Sequence, residues 1–313
     1  MAIAIRVNTE ATTQIRSFAR SMGQIVLQRN AGTGGILVLA LLWFSPRLAC
    51  ALLIGTLTGN VLAHIFDDDS SPATRNDLHG FNGGLAALAA FTFIHDDSRA
   101  TAVAILAAVL ATGLSDMLTR ALSRWNLAAY SSPAVLVTWA WLPLFADQSF
   151  GTAAVRVAAA ASADSDVRLL FSAAPAFLRP CLEGIVAGLA PIVFAAGPAA
   201  GALILAALLI AGPSRAAWAL GGSALGIALW SVFGTSAGVL QSGVCGFNPA
   251  LAALSTCRFG AKAAIAAIVL TLPIELAASA VGIPALTAPF VLASWIVQLL
   301  EQHFNARANN GHS

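Results

Sequence analysis

Long apolar runs separated by short polar connectors make up most of the chain. A helix that crosses a bilayer needs about 20 mostly apolar residues. In the first half, apolar runs occupy residues 33–44, 48–66, 78–94, 100–119 and 131–148. In the second half, they occupy residues 184–211, 215–235, 244–257, 261–281 and 284–300. The pattern predicts an all-α polytopic membrane protein, with matching sets of segments on either side of a polar linker.

Composition places the chain in a membrane rather than in water. Hydrophobic residues make up 58% of it, charged residues 10%, and the mean hydropathy is +0.81. Soluble domains carry about 25% charged residues, so this chain has too few charges to cover a water-exposed surface. A net charge of +2 is not the concentrated basic face of a nucleic-acid-binding protein. We therefore expect membrane lipid as the surroundings and no nucleic-acid partner.

The cysteines give no sign of metal or disulfide chemistry. Cys50, Cys181, Cys245 and Cys257 lie in or beside apolar runs and lack C-x-x-C spacing, which favours small buried side chains. We predict no metal site and no cofactor. The chain has no N-x-S/T sequon, and its connectors are short. These features favour an integral protein of the bacterial inner (plasma) membrane.

Two short stretches of the first half have counterparts in the second half, in the same order. GFNGGLAAL at residues 80–88 returns as GFNPALAAL at residues 246–254. SFARSMGQ at residues 17–24 matches AFLRPCLE at residues 176–183. These matches predict an internal duplication. The alternative is that Gly- and Ala-rich membrane helices resemble one another through small-residue packing alone.

A third match aligns Pro46, Gly55 and Gly59 with Pro213, Gly222 and Gly226, and a fourth aligns SSPAVLVTW at residues 131–139 with GIPALTAPF at residues 282–290. Two halves with an odd number of crossings must be inverted relative to each other, so that matching motifs approach the midplane from opposite sides. Paired interrupted segments of this kind indicate a substrate path. The predicted divisions are an N-terminal tail (1–16), a first membrane repeat (17–150), a linker (151–175), a second membrane repeat (176–300) and a C-terminal tail (301–313).

Four stretches of the chain resemble the urea transporter family. They are QIVLQRNAGTGG at residues 24–35, the two GFN motifs, and IPALTAPF at residues 283–290. The hallmark of the family is Leu-Pro-x-x-Thr-x-Pro-Phe, and IPALTAPF meets every fixed position except the first. The resemblance covers residues 17–300.

The resemblance implies a fold, a function and an assembly. The implied fold has two inverted homologous halves, each of about five transmembrane helices plus a re-entrant pore helix, with the pore between the halves. The implied function is passive, channel-like conduction of urea, or of a close small neutral amide, and no enzymatic activity. Apolar slots and hydrogen-bond acceptor oxygens would line a narrow selectivity filter. The implied assembly is a homotrimer.

Acceptor oxygens are expected where a polar side chain interrupts an apolar segment. Gln24 and Glu183 occupy matched positions in the repeat, and a buried carboxylate is a functional candidate by default. Glu183 could instead pair with Arg179 one helical turn away. Thr287 lies between two prolines, where its hydroxyl either faces the pore or bonds to its own backbone.

The remaining positions of the expected filter are its apolar slots and the positions where the sequence departs from the family pattern. Each GFN motif places a Phe and a Leu one helical turn apart on one face, and its Asn is expected to hold broken backbone. Leu136 stands where the first half should match Thr287, so the centre of the pore is expected to be asymmetric, unless Thr138 supplies the second hydroxyl through a shifted register. The family's aromatic three residues after Gln24 is replaced by Leu27, with Val186 as the expected counterpart. The predicted substrate-binding residues are Gln24, Glu183, Thr287, Phe81, Phe247, Leu85, Leu251, Leu27, Val186 and Leu136.

Three other functions compete with a urea channel. An ammonia channel uses paired histidines at mid-pore, whereas the histidines here lie at loop edges or in the tail. An ion-coupled transporter needs buried ionisable groups, of which Glu183 and Glu275 are the candidates. Glu275 has no assigned role and could pair with Lys262. A membrane-embedded enzyme needs converging His, Asp or Glu ligands, or a nucleophile with its base, and no such pattern is present.

Overall fold

A computed structural model describes residues 2–66, 80–145 and 179–310, with side chains at 13–65, 80–145 and 179–307. All regular structure in these ranges is helical, and the predicted linker lies outside them. The first group of helices is α1 (Ala2–Gly23), α2 (Ala31–Phe44), α3 (Pro46–Phe66), α4 (Gly80–Phe93), α5 (Asp97–Ser123) and α6 (Ser132–Phe145). The second group is α7 (Arg179–Ala187), α8 (Gly197–Ala211), α9 (Pro213–Val232), α10 (Ala237–Gln241), α11 (Phe247–Thr256), α12 (Ala261–Val281) and α13 (Ala288–Asn310).

Each group opens with a sharply bent pair of helices. The segments Thr13–Val26 and Ala31–Phe44 meet at 74°, as do Arg179–Val193 and Gly197–Ala211. In both pairs a short 3₁₀ turn precedes the bend, and the residue that closes this turn, Leu27 or Phe194, is left-handed with φ of 58°. The continuous run predicted at 184–211 is therefore broken in the middle.

Close glycine contacts at the two bends align the two groups of helices by position. A Cβ added to Gly34 would lie 1.8 Å from the carbonyl oxygen of Ala19, and one added to Gly201 would lie 1.9 Å from that of Val186. Only glycine permits these close crossings, and each matching pair is 167 residues apart. The 159-residue offset that placed Gln24 opposite Glu183 is thus wrong for this region. In the observed register the residue opposite Gln24 is Pro191.

The GFN motifs begin two short helices in the interior. Helix α4 has 14 residues and α11 has 10; at about 1.5 Å per residue they are shorter than the roughly 30 Å hydrocarbon core. Every residue of α4 except Thr92 is buried. Helix α4 packs against α3 and α5, and α11 packs against α9, α12 and α13. The prediction that these segments are too short to cross alone agrees with their observed length.

Longer apolar helices surround these two. Among the described residues, Pro46–Ile65, Asp97–Ser123 and Ala261–Val281 are long and apolar enough to cross a membrane. The number of such segments rises to five if each bent pair forms one span. Their outer faces carry large exposed apolar side chains, such as Leu106 on α5 and Val269 on α12. Helix α1 already begins at Ala2, and α13 continues to Asn310, so both predicted tail boundaries fall within helices.

Candidate functional site

Three cavities lie in series through the interior. The first, of about 630 Å³, is lined by Arg29, Arg215 and Arg258, and we call it the arginine vestibule. The second, of about 10 Å³, is the constriction. The third, of about 480 Å³, contains Glu275, and we call it the carboxylate vestibule. At about 10 Å³, the constriction has room for at most one water molecule.

Shared lining residues join the three cavities. Gln24, Leu27 and Phe81 line both the arginine vestibule and the constriction. Thr287 lines both the constriction and the carboxylate vestibule. The constriction therefore adjoins both vestibules, which have no lining residue in common among those that the structure describes.

The constriction has mostly apolar walls. The interior helices contribute Phe81 and Leu85 from α4 and Leu251 from α11, and the 3₁₀ turns contribute Ile25 and Ile192. These side chains meet because each interior helix and each bent pair directs its buried face to the same place. Seven of the ten predicted residues line one of the three cavities: Gln24, Thr287, Phe81, Phe247, Leu85, Leu251 and Leu27.

Two hydroxyls meet at the constriction. The oxygens of Ser131 and Thr287 are 2.7 Å apart and share a hydrogen bond, with both residues buried. Leu136, the expected counterpart of Thr287, lies on α6 with 43% of its surface exposed and lines none of the three cavities. The expected asymmetry of the centre is therefore wrong, because Ser131 supplies the second hydroxyl.

The backbone around each hydroxyl is held by the Asn of a GFN motif. Tyr130 and Leu286, the residues before the hydroxyls, are left-handed with φ of 49° and 47°. The Nδ2 of Asn82 donates to the Tyr130 carbonyl at 3.1 Å, and the Nδ2 of Asn248 donates to the Leu286 carbonyl at 3.0 Å. The predicted role of both asparagines, to hold broken backbone, is confirmed.

Hydrogen bonds from two tryptophans show the same spacing between the two groups of helices. The indole N–H of Trp139 donates to the carbonyl of Pro284 at 2.7 Å, and that of Trp295 donates to the carbonyl of Ala128 at 2.7 Å. The two donors are 156 residues apart, and so are the two acceptors. Ser131 and Thr287 have the same spacing. The register in this region is therefore 156 rather than the expected 151.

The second aromatic slot also differs from expectation. Phe194 closes the turn that corresponds to the one closed by Leu27, and it lines the carboxylate vestibule together with Phe247. Its ring meets that of Phe93 edge to face, with centroids 6.4 Å apart. Val186, the expected counterpart of Leu27, packs at the helix crossing and lines none of the three cavities. The second vestibule is therefore more aromatic than the sequence alignment implied.

The two predicted acceptor residues lie in different places. Gln24 is buried at the constriction, and its Nε2 has no hydrogen-bond partner among the described residues. Glu183 is half-buried on α7, and one of its oxygens is buried without a hydrogen-bond partner. It lines none of the three cavities. Of these two residues, only Gln24 lines the constriction.

Glu275 is the charged residue that the sequence left without a role. It is 7% exposed. Its Oε1 accepts a hydrogen bond from Asn248 Nδ2 at 2.6 Å, and its Oε2 accepts one from Trp230 Nε1 at 3.1 Å. These donors, rather than Lys262, are its partners in the described structure. The corresponding asparagine, Asn82, donates instead to the hydroxyl of Ser115 at 3.2 Å.

Metal-ligating side chains do not cluster in the part of the chain that is described. No group of three or more His, Cys, Asp or Glu residues there could hold a metal ion. The site instead offers amide, hydroxyl and backbone oxygens between apolar walls.

Broken helices around a narrow centre with vestibules on both sides define a membrane transporter of small polar solutes. The family model of the urea transporters matches residues 15–302, nearly the whole chain. The protein belongs to the urea transporter family. The family is one of channel-like transporters rather than enzymes, and the ammonia-channel, ion-coupled and enzymatic alternatives are not favoured.

Proposed function

We propose that urea crosses this protein from one vestibule to the other, down its gradient, through the constriction between Ser131 and Thr287. The observation that carries the proposal is the set of shared lining residues: Gln24, Leu27 and Phe81 on one side and Thr287 on the other. A solute that leaves either vestibule along this line meets the same small group of side chains.

The chemistry of the lining suits a flat, neutral amide. Urea carries four N–H donors and one carbonyl, and burying an amide without replacement hydrogen bonds costs about 2–7 kcal/mol. The amide oxygen of Gln24 and the hydroxyl oxygens of Ser131 and Thr287 can accept from these donors in turn. Phe81, Leu85 and Leu251 make the apolar walls that exclude a hydrated ion.

The constriction must widen for urea to pass. Its volume of about 10 Å³ is less than urea needs, so neighbouring side chains have to move apart. Gln24 and Leu27 are flexible side chains at this point and can change rotamer without moving the helices. Weak, replaceable contacts at the centre also allow release, as conduction requires.

The architecture and assembly are part of the same proposal. We expect two inverted homologous halves with the pore between them, and a homotrimer with one pore in each subunit, in a bacterial inner membrane. The paired 74° bends and the constant 167-residue spacing of their landmarks support the duplication. Exposed side chains such as Trp43, 81% exposed, support contact with lipid or with neighbouring subunits.

A stopped-flow assay tests the function. Proteoliposomes that contain the purified protein are mixed rapidly with a concentrated urea solution, and they first shrink and then swell again as urea enters. Light scattering reports the rate at which the liposomes recover their volume, with empty liposomes as the reference. Urea flux that is independent of pH and sodium gradients is expected. Ammonium flux without urea flux, or uptake that requires a proton gradient, would overturn the proposal.

A further inference from the structure

The carboxylate vestibule holds a charge that conduction of a neutral solute does not require. Glu275 is the only charged residue among the described residues that line this cavity. In the other half the neutral hydroxyl of Ser115 serves as partner for the corresponding asparagine. Holding Asn248 in place is therefore not a sufficient reason for a carboxylate at this position.

The geometry leaves this carboxylate able to bind a further ligand. Each oxygen accepts one hydrogen bond, from Asn248 or from Trp230. A carboxylate has about four acceptor positions, so roughly two remain for a donor in the cavity. Both oxygens accept from N–H groups, so neither of these contacts uses the carboxyl group as a donor. Among the described residues Glu275 has no basic partner, and a buried carboxylate in this situation favours a cationic ligand.

Four aromatic side chains line the same cavity as this charge. Phe93, Phe194, Phe247 and Trp230 share the vestibule with Glu275. Cations are attracted to the faces of aromatic rings, and a planar cation can stack between them while donating N–H groups to a carboxylate. Guanidinium has the flat, three-armed shape of urea and adds a positive charge.

The opposite vestibule disfavours onward passage of such a cation. It is lined by Arg29, Arg215 and Arg258, and the described residues that line it include no acidic side chain. A basic ring at a pore mouth raises the electrostatic barrier for cations. A cation that reaches Glu275 is therefore held in the vestibule rather than conducted.

We propose that the carboxylate vestibule binds a small planar cation of the guanidinium class at Glu275, and that the bound cation blocks urea passage from that side. The blocking part rests on the proposed urea path, whereas the binding part does not. Binding and blocking can therefore be tested separately.

The first experiment measures binding to the purified full chain. Guanidinium chloride at low millimolar concentration is titrated by calorimetry, with sodium chloride at equal ionic strength as the control. We compare wild type with Glu275→Gln, which removes the charge, and with Glu183→Gln, which removes a half-buried carboxylate outside the vestibule. Saturable binding to wild type and Glu183→Gln is expected, with affinity at least about tenfold weaker in Glu275→Gln.

A second experiment measures guanidinium binding in a protein that keeps Glu275. Cys245 lines the same vestibule, so in a protein whose other cysteines are serine, bound guanidinium is expected to slow its modification by a small thiol reagent. Sodium chloride at equal ionic strength is expected to leave the rate unchanged. This readout keeps the proposal testable if Glu275→Gln does not fold.

The third experiment measures stopped-flow urea flux with guanidinium on one face of the liposome. Inhibition from one face, lost in Glu275→Gln and kept in Glu183→Gln, is expected. Normal urea flux with neither binding nor protection would overturn this proposal and leave the urea path intact. Unchanged binding in Glu275→Gln would also overturn it. Absence of urea flux without guanidinium would instead contradict the proposed function.

Discussion

The paired hydroxyls at the constriction make the sharpest prediction about urea permeation. Ser131→Ala removes one of two buried hydroxyls that share a 2.7 Å hydrogen bond, and it leaves the hydroxyl of Thr287 without that partner. If urea donates to this oxygen during passage, the lost hydrogen bond costs about 1–1.5 kcal/mol. Since about 1.4 kcal/mol corresponds to a tenfold change in rate, urea flux is expected to fall roughly five- to tenfold.

The double variant tests whether the two hydroxyls act together. Ser131→Ala combined with Thr287→Val removes both acceptors and makes the middle of the constriction apolar. If the two losses added, the flux would fall roughly 25- to 100-fold below wild type. Because the hydroxyls bond to each other, however, the losses are expected not to add, with an interaction energy of about 0.5–3 kcal/mol in a double-mutant cycle.

Ser132→Ala is the matched control for this series. Ser132 is the next residue, is also buried, and donates its hydroxyl hydrogen to the backbone oxygen of Ala129 at 2.6 Å instead of lining a cavity. Stopped-flow light scattering of proteoliposomes with equal protein content measures all variants. Flux of Ser131→Ala within about twofold of both wild type and Ser132→Ala, less than 1 kcal/mol, would refute the role of the hydroxyl pair.

Three further predictions concern the lining, the register and the helix crossing. Leu85→Trp is expected to fill the constriction and cut urea flux at least about tenfold, whereas Leu106→Trp on the exposed face of α5 keeps it; equal fluxes in stopped flow would place Leu85 outside the path. Glu183→Gln is expected to keep urea flux within about twofold, and a large loss in the same assay would restore Glu183 to the filter. Gly201→Ala is expected to lower the melting temperature or prevent folding, because the added carbon would overlap the carbonyl oxygen of Val186. Overpacking of this kind costs about 1–3 kcal/mol or more in stability. Gly221→Ala, with nothing within 4 Å of the added carbon, is the control in thermal melting, and equal melting temperatures would contradict the tight crossing.

Hydrophobic runs predicted the helices well because burial in lipid dominates their composition. The predicted segment 261–281 matches α12 at both ends, and the run at 48–66 differs from α3 by two residues at its start. The GFN phrases also marked both interior helices. Their asparagines hold strained backbone, which is a local requirement and therefore leaves a local sequence signal.

The register errors have a different origin. Matching Arg20 and Gln24 with Arg179 and Glu183 relied on polar letters, although polar residues can recur on a helix without structural equivalence. Landmarks that the backbone requires were more reliable: Gly34 and Gly201 are 167 residues apart, as are Pro46 and Pro213. The latter spacing was visible in the sequence.

The second hydroxyl could also have been found from backbone landmarks. Pro133 and Pro289 are 156 residues apart, and the residues two positions earlier are Ser131 and Thr287. Aligning the prolines, which interrupt helical hydrogen bonding, places the two hydroxyls opposite each other. The hydrogen bonds of Glu275 had no such signal, because they join residues 27 and 45 positions apart.

The position of a bound urea analogue in a crystal shows whether the solute path runs through the constriction. Selenourea has the shape and donors of urea, and its selenium gives an anomalous signal in a crystal. We expect anomalous peaks in the vestibules beside Phe81 and Phe247, next to the Ser131–Thr287 pair. Peaks confined to sites away from the three cavities, in crystals of protein that conducts urea, would contradict it.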